Sequence, residues 1–323
     1  AATQTGAISV ATLTALRQQS LTLENRLNPT VLFNFDVDGT ATRRAVGDID
    51  AFGAIEGGYY SSDTQQVTPG LTGQTQVIKL GADVAVASNA TVGIGLSLDH
   101  GQVDFEGSRG GFDSRLIVGA LFGQAALSRN FYVNAAAGGG LIDVYNIDRR
   151  FNLGPATESY DSETTGTYLF ARGGGGAMFR PTEEFLLNPF AHFTHESVEI
   201  DGFTESSGAA SLSFGDTEYT SNRLSGGLSV IYSPMAAPDW RFNLRGSLEH
   251  DLKDDELFVA LGPDTSTLSS VSAPRPDQTW GYIQGSIVRT VGPASFLSMT
   301  VSGSVGLSGT TGLVGSIAYK IAF

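Results

Sequence analysis

The 323-residue sequence has no cysteine, little charge and no long apolar run. Without cysteine there is no disulfide framework and no thiolate metal site, a composition that suits passage through an oxidising periplasm without mispairing. No stretch reaches the roughly 18 consecutive apolar residues of a membrane helix, which excludes a helical membrane protein. Charged residues make up 16% of the chain, against about 25% in an ordinary soluble domain. Bases are scarcest: 19 Lys and Arg face 33 Asp and Glu, for a net charge of -14. Such a surface repels phosphate backbones, so nucleic acid is not an expected partner. The opening AATQTGAISV has neither the positive nor the apolar region of a signal peptide. Any such peptide has been removed, or the sequence starts inside a longer chain.

Glycine is plentiful, with 41 residues, nearly double the usual share of about 7%. From about Asp48 to the end, the hydrophobic period is two. Leu313, Gly315, Ile317, Tyr319, Ile321 and Phe323 share one face, and Val314, Ser316, Ala318, Lys320 and Ala322 the other. Likewise Ile78, Leu80 and Val84 oppose Lys79 and Asp83, Leu96 and Leu98 oppose Ser97 and Asp99, and Phe242, Leu244 and Leu248 oppose Arg241, Arg245 and Glu249. About twelve such segments leave roughly 23 residues per strand plus turn, more than the 8 to 12 of a sandwich. Strands that long suit a tilted crossing of a bilayer.

The connections alternate in length. Short ones fall at Ser88-Asn89, Ser128 to Asn130, Arg180 to Glu184, Ser233 to Asp239 and Val291 to Ala294. Long ones fall at Asp63 to Gly73, Glu106 to Phe112, Arg149 to Glu163, Asp201 to Thr217 and Asp254 to Gln278, while Ser308 to Thr310 is short although on the long side. Short periplasmic turns, longer outer loops and an even strand count mark an outer-membrane barrel. The expected fold is all-β: a transmembrane antiparallel barrel of about 12 strands over 48–323, with an N-terminal α-helix in its lumen. Its first strand starts in the periplasm.

Residues 1–47 form a linker. Ile8 to Leu27 has a helical period, with Val10, Leu13, Leu16, Leu23 and Leu27 recurring at three and four, Arg17, Glu24 and Arg26 among the polar positions, and Asn28-Pro29 as a stop. Twenty residues would span about 30 Å, the thickness of the hydrocarbon core. The segment is too polar for lipid and suits the lumen. There it meets the polar strand faces, expected to line the pore through Lys79, Asp83, Asp99, Arg223, Arg241, Arg245, Glu249 and Lys320. The runs Gly138, Gly139, Gly140 and Gly173, Gly174, Gly175, Gly176 are expected to lie opposite each other, Gly139 near Gly173, as one smooth patch that the helix passes.

Val31 to Thr40, VLFNFDVDGT, resembles the first motif of haloacid-dehalogenase-type phosphatases, but the strands that follow cannot supply the parallel α/β sheet that motif needs. As a calcium loop it fails because Gly47 stands where an EF-hand needs Glu. His192 and His195, three apart on a strand, point to opposite faces and cannot share a metal. His100 and His250 lie near outer strand ends, where an outer-membrane hydrolase would keep its site, but no Ser or Asp constellation accompanies them. No metal, cofactor or catalytic residue is expected.

The barrel resembles the autotransporter β-domain, the translocator of type V secretion. The likeness runs through LNPFAHFTHESVEI at Leu187 to Ile200, DGFTESSGAASLSF at Asp201 to Phe214, NRLSGGLSV at Asn222 to Val230, RFNLRGSLEHDL at Arg241 to Leu252 and the Phe-terminated last strand. A departure is Ser247, where the family often has Trp. The closing Tyr319, Ile321 and Phe323 resemble the signature by which outer-membrane proteins are recognised for assembly. The resemblance implies a pore in the bacterial outer membrane, through which an N-terminal passenger reaches the surface, and the barrel-assembly machinery, lipid and lipopolysaccharide as further partners of a monomer. One branch cleaves its passenger at an Asn-Asn pair in the lumenal helix. None is present here, which favours a passenger that stays attached, as in the esterase-type branch. The alternatives are a stand-alone channel plugged by its N-terminal segment, and an outer-membrane hydrolase.

Overall fold

A computed structural model describes residues 45–323 apart from short stretches at 64–69, 108, 154–155, 207, 209, 254–256, 274–276, 293 and 307–309. The expected helix and the VLFNFDVDGT motif lie outside the described residues. Sixteen strands follow in order: β1 (Ile49–Ser62), β2 (Leu71–Ala87), β3 (Ala90–Phe105), β4 (Gly110–Ala126), β5 (Phe131–Leu153), β6 (Ala156–Ala177), β7 (Phe185–Ile200), β8 (Phe203–Thr204), β9 (Ser213–Phe214), β10 (Thr217–Tyr232), β11 (Trp240–Asp251), β12 (Leu257–Gly262), β13 (Ser269–Ala273), β14 (Thr279–Gly292), β15 (Ser295–Val305) and β16 (Thr310–Ala322). Twelve of them, β1 to β7, β10, β11 and β14 to β16, close into an antiparallel barrel. The other four make a small sheet, ordered β13-β12-β9-β8, from the two connections that follow β7 and β11.

The register fixes the barrel's width. Stepping across paired residues from Ile231 leads through Asn243, Ser286, Thr300, Ser316 and Glu56. It continues through Val77, Asp99, Leu116, Ile142, Gly166 and Ile200. The path returns to β10 at Thr217, a stagger of 14 residues (231 − 217). Twelve strands with that stagger, at the usual spacing and rise, tilt by roughly 40° and enclose a lumen roughly 24 Å across between backbones. A lumen of that width, with its large side chains lying against the wall, leaves room for one helix about 10 to 12 Å in diameter.

The alternation is inside-out relative to a soluble sandwich. On β2, Ile78, Leu80 and Val86 are exposed on the outer face while Thr75, Lys79 and Asp83 are buried on the inner one. Along β3 and β4 the same holds for exposed Ile94, Leu96, Ile117 and Leu121. An exposed apolar band round a closed barrel is stable only in lipid. Phe185, Tyr232 and Phe242 stack across three strands, with ring centroids 4.9 and 6.3 Å apart, beside the short turns. Arg289 lies over Trp240 at 5.1 Å, so an aromatic girdle marks this interface.

Two expectations need correction. The Gly runs do not face each other: Gly139 pairs with Leu169, and Gly173 with Ala135. The connection expected from Arg149 to Glu163 is mostly strand, since β5 and β6 continue pairing to Leu153 and Ala156, and a register shift between Val144 and Ile147 moves the pairing further. Gly138, Gly140, Gly174 and Gly176 lie on the inner face, whereas Gly139, Gly173 and Gly175 point outward. The inward glycines have a local cause. Directly across from Gly73, Gly81, Gly93, Gly138, Gly176 and Gly227 stand Tyr60, Phe52, Phe122, Phe170, Tyr132 and Phe190. A Cβ at any of the six would meet that ring at 2.8 Å or less. Each aromatic ring thus packs on bare backbone, which lets large side chains lie flat against a narrow lumen.

Candidate functional site

The barrel lumen is the only enclosed polar space that all twelve wall strands share among the described residues. Every charged residue expected to line it lies on the inner face: Lys79, Asp83, Asp99, Arg223, Arg245 and Glu249 buried, Arg241 and Lys320 half-buried. They sort into two groups. On β1, β2 and β16, Lys79 pairs with Glu56 at 2.9 Å and Lys320 with Asp50 at 2.5 Å, with Asp83 and Asp99 beside them on β2 and β3. On β6 to β11, Arg223 lies 3.2 Å from Glu196 and 3.5 Å from Glu249. Tyr168 donates to Glu196 at 3.1 Å and Ser247 to Glu249 at 2.7 Å. Arg223 is 1% and Glu249 0% exposed, so partners rather than water must compensate their desolvation. Arg245 packs over the Phe190 ring at 3.9 Å.

Asp50, Glu56, Arg172 and Glu196 were missed in the sequence although they share the inward parity. Phe52 and Tyr60 beside Asp50 and Glu56 made that face of β1 look apolar, and Arg172 is hidden at the start of a glycine run. A cavity of about 1680 Å³ borders nine of the wall strands, at inward residues such as Glu56, Asp99, Ser286 and Thr300 and at outward ones such as Ile78, Ile117, Phe242 and Ile317.

His192 faces inward and His195 outward, where its Nδ1 lies 2.8 Å from Asn222 Oδ1. His100 shares a hydrogen bond with the Tyr145 hydroxyl at 3.3 Å, and His250 with Thr279 Oγ1 at 2.7 Å, both on the outer face where the apolar band gives way to polar residues. Neither pair includes a carboxylate. No group of three His, Cys, Asp or Glu able to hold a metal occurs among the described residues.

At the outer end, Arg149 of β5 makes a bidentate bond to Glu205, with both contacts at 2.5 Å, and donates to Ala210 O at 2.8 Å. The Arg149 guanidinium lies 4.8 Å over the Tyr160 ring. This ties the β7–β10 connection to the β5–β6 hairpin. Val259 of β12 is buried with Tyr219, Val198 and Ile200 of the inner wall.

A closed, tilted twelve-strand barrel with an apolar outer band and ion-paired interior defines a bacterial outer-membrane β-barrel. The chain belongs to the autotransporter β-domain family, whose sequence model matches residues 51–302. It is 29% identical over 158 residues to an uncharacterised protein in the trpE-trpG intergenic region of Pseudomonas putida, covering 47% of this chain and 26% of that one. It is 31% identical over 106 residues to the esterase EstA of Pseudomonas aeruginosa, covering 32% of this chain and 16% of that one. The chain thus matches about a quarter of the first relative's length and about a sixth of the second's. Its fold matches the translocator domain of the autotransporter NalP from Neisseria meningitidis with a TM-score of 0.74, at 13% identity, covering 100% of this chain and 99% of that one.

Proposed function

We propose that this outer-membrane barrel translocates and anchors a passenger that precedes it, with the linker held in the lumen. The observation that carries this reading is where β1 begins. Phe323 N donates to Ile49 O at 2.8 Å, so the chain enters and leaves the barrel at one end, that of the short Ser88-Asn89 turn. That end faces the periplasm by the loop asymmetry of outer-membrane barrels. A passenger on the cell surface is then joined to β1 only through the lumen. The polar inner face and the width calculated above accept one helix, and Ile8 to Leu27 has the length and pattern for it.

The barrel's own work on this reading is mechanical and not catalytic. The hydrogen-bonded histidines at its outer rim support that, since none has the oriented carboxylate that nucleophilic hydrolysis uses. Absence of an Asn-Asn pair favours an attached passenger, and the name of the EstA relative makes an esterase the first passenger activity to assay in the longer polypeptide. Closing residues Tyr319, Ile321 and Phe323 are proposed to address the chain to the assembly machinery; Tyr319 and Phe323 stand exposed on the outer face. A monomer in contact with lipid and lipopolysaccharide completes the proposal.

An epitope placed ahead of Ala1 tests the passage. On intact cells it is expected to be cut by added protease. If it is cut only after the outer membrane is permeabilised, the chain does not deliver its N-terminal side to the surface.

A further inference from the structure

The inner wall is amphipathic around its circumference. Inward residues of β4 and of β5 up to Ile147 include no charge, and Leu116, Val118, Phe122, Ile142 and Val144 belong to one buried apolar cluster. Half a turn round the barrel, the middle of β14 and β15 faces inward with Gln284, Ser286, Ser298, Thr300 and Ser302, with Trp280, Tyr282, Val288 and Phe296 toward the strand ends. The charged groups lie between these sectors, on β16 and β1 to β3 and on β6 to β11. An apolar stripe facing water-filled space is unfavourable, and the most economical cover is a partner with a matching stripe. The sequence supplies one: Leu13, Leu16, Leu23 and Leu27 fall on one side of the helical period of residues 8–27, with Gln18 and Asn25 on the opposite side.

We propose that the segment 8–27 lies off-centre in the lumen, its leucine stripe seated on the apolar sector of β4 and β5 and its Gln and Asn side turned to β14 and β15. This rests on the lumenal reading above and adds a rotational orientation to it. It assigns β4 and β5 as the wall that holds the linker, and β14 and β15 as the wet side, along which water and ions would pass.

The chain has no cysteine, so pairs can be introduced on a clean background. Leu13→Cys, Leu16→Cys and Leu23→Cys are each combined in the full chain with Val118→Cys or Ile142→Cys on one wall, or with Ser286→Cys or Thr300→Cys on the other. Mild oxidation links only pairs whose Cα atoms come within roughly 7 Å. Folding of each variant is checked by its shifted migration on unheated gels. Disulfides are expected in most molecules of at least one β4 or β5 pair and at background level for β14 and β15, with Gln18→Cys showing the reverse preference. Equal yields on both walls, or leucine positions linking to β14 and β15, would overturn the orientation while leaving the lumenal reading intact. Folded barrels that link on neither wall from any position would overturn both.

Discussion

At the scale of single residues, lumen packing follows from whether a glycine faces a ring. A Cβ at Gly73 would lie 2.1 Å from Tyr60 Cζ, whereas one at Gly57, on the outer face of β1, meets nothing within 4 Å. Gly73→Ala is therefore expected to destabilise the barrel by about 2 kcal/mol through overpacking, and Gly57→Ala by no more than about 0.5 kcal/mol. Urea unfolding in micelles measures both, and equal effects would contradict the packing account. Arg223 supplies a second contrast. Arg223→Met strands Glu196 and Glu249 in a buried site, a loss of about 3 kcal/mol, and adding Glu196→Gln with Glu249→Gln should recover part of it. These charges were only partly legible in the sequence. Parity placed Arg223 and Glu249 inside, but Glu196 sits in a strand where His192 and His195 drew attention to metal chemistry instead.

At the scale of elements, the long strands were legible because period two persists over ten or more residues, and the short turns because they break it. Strands β8, β9, β12 and β13, two to six residues each, are too short to leave a period, so the outer sheet was read as loop. The β5–β6 pairing was misread mainly because the two strands pair on to Leu153 and Ala156, where a loop was expected; the register shift where Asn146 adopts a positive φ of 52° moves it by one residue more. Arg149 of β5 and Glu205, just after β8, tie the outer sheet to the barrel. Glu205→Ala is expected to free the β7–β10 connection for limited proteolysis at the cell surface while the barrel stays heat-modifiable; unchanged protection would show that the tie is dispensable. In the β12–β13 turn, hydrogen bonds from Ser266, then Thr267, hold the Asp264 carboxyl below its ordinary range. A lowered pKa means that the turn is fully braced above the unfolded value of about 3.9 and loses the brace as pH falls through the lower folded value. Ser266→Ala should raise the Asp264 midpoint in an NMR titration.

At the scale of the molecule, the low charge and the glycine excess have one origin. A barrel wall has two faces: one meets lipid and excludes charge, and the other is crowded and favours Gly, Ser and Ala, with charges kept in pairs. The whole chain therefore looks neither soluble nor helical-membrane, and its meaning lies in alternation. Family membership follows from the sequence match over residues 51–302. The central proposal is that residues 1–44 occupy the lumen of a barrel that is otherwise open. Single-channel conductance in planar bilayers tests this most directly, comparing the full chain with one beginning at Ala45. The account predicts a several-fold rise in conductance on removing 1–44, with both proteins folded. Equal conductance would contradict it.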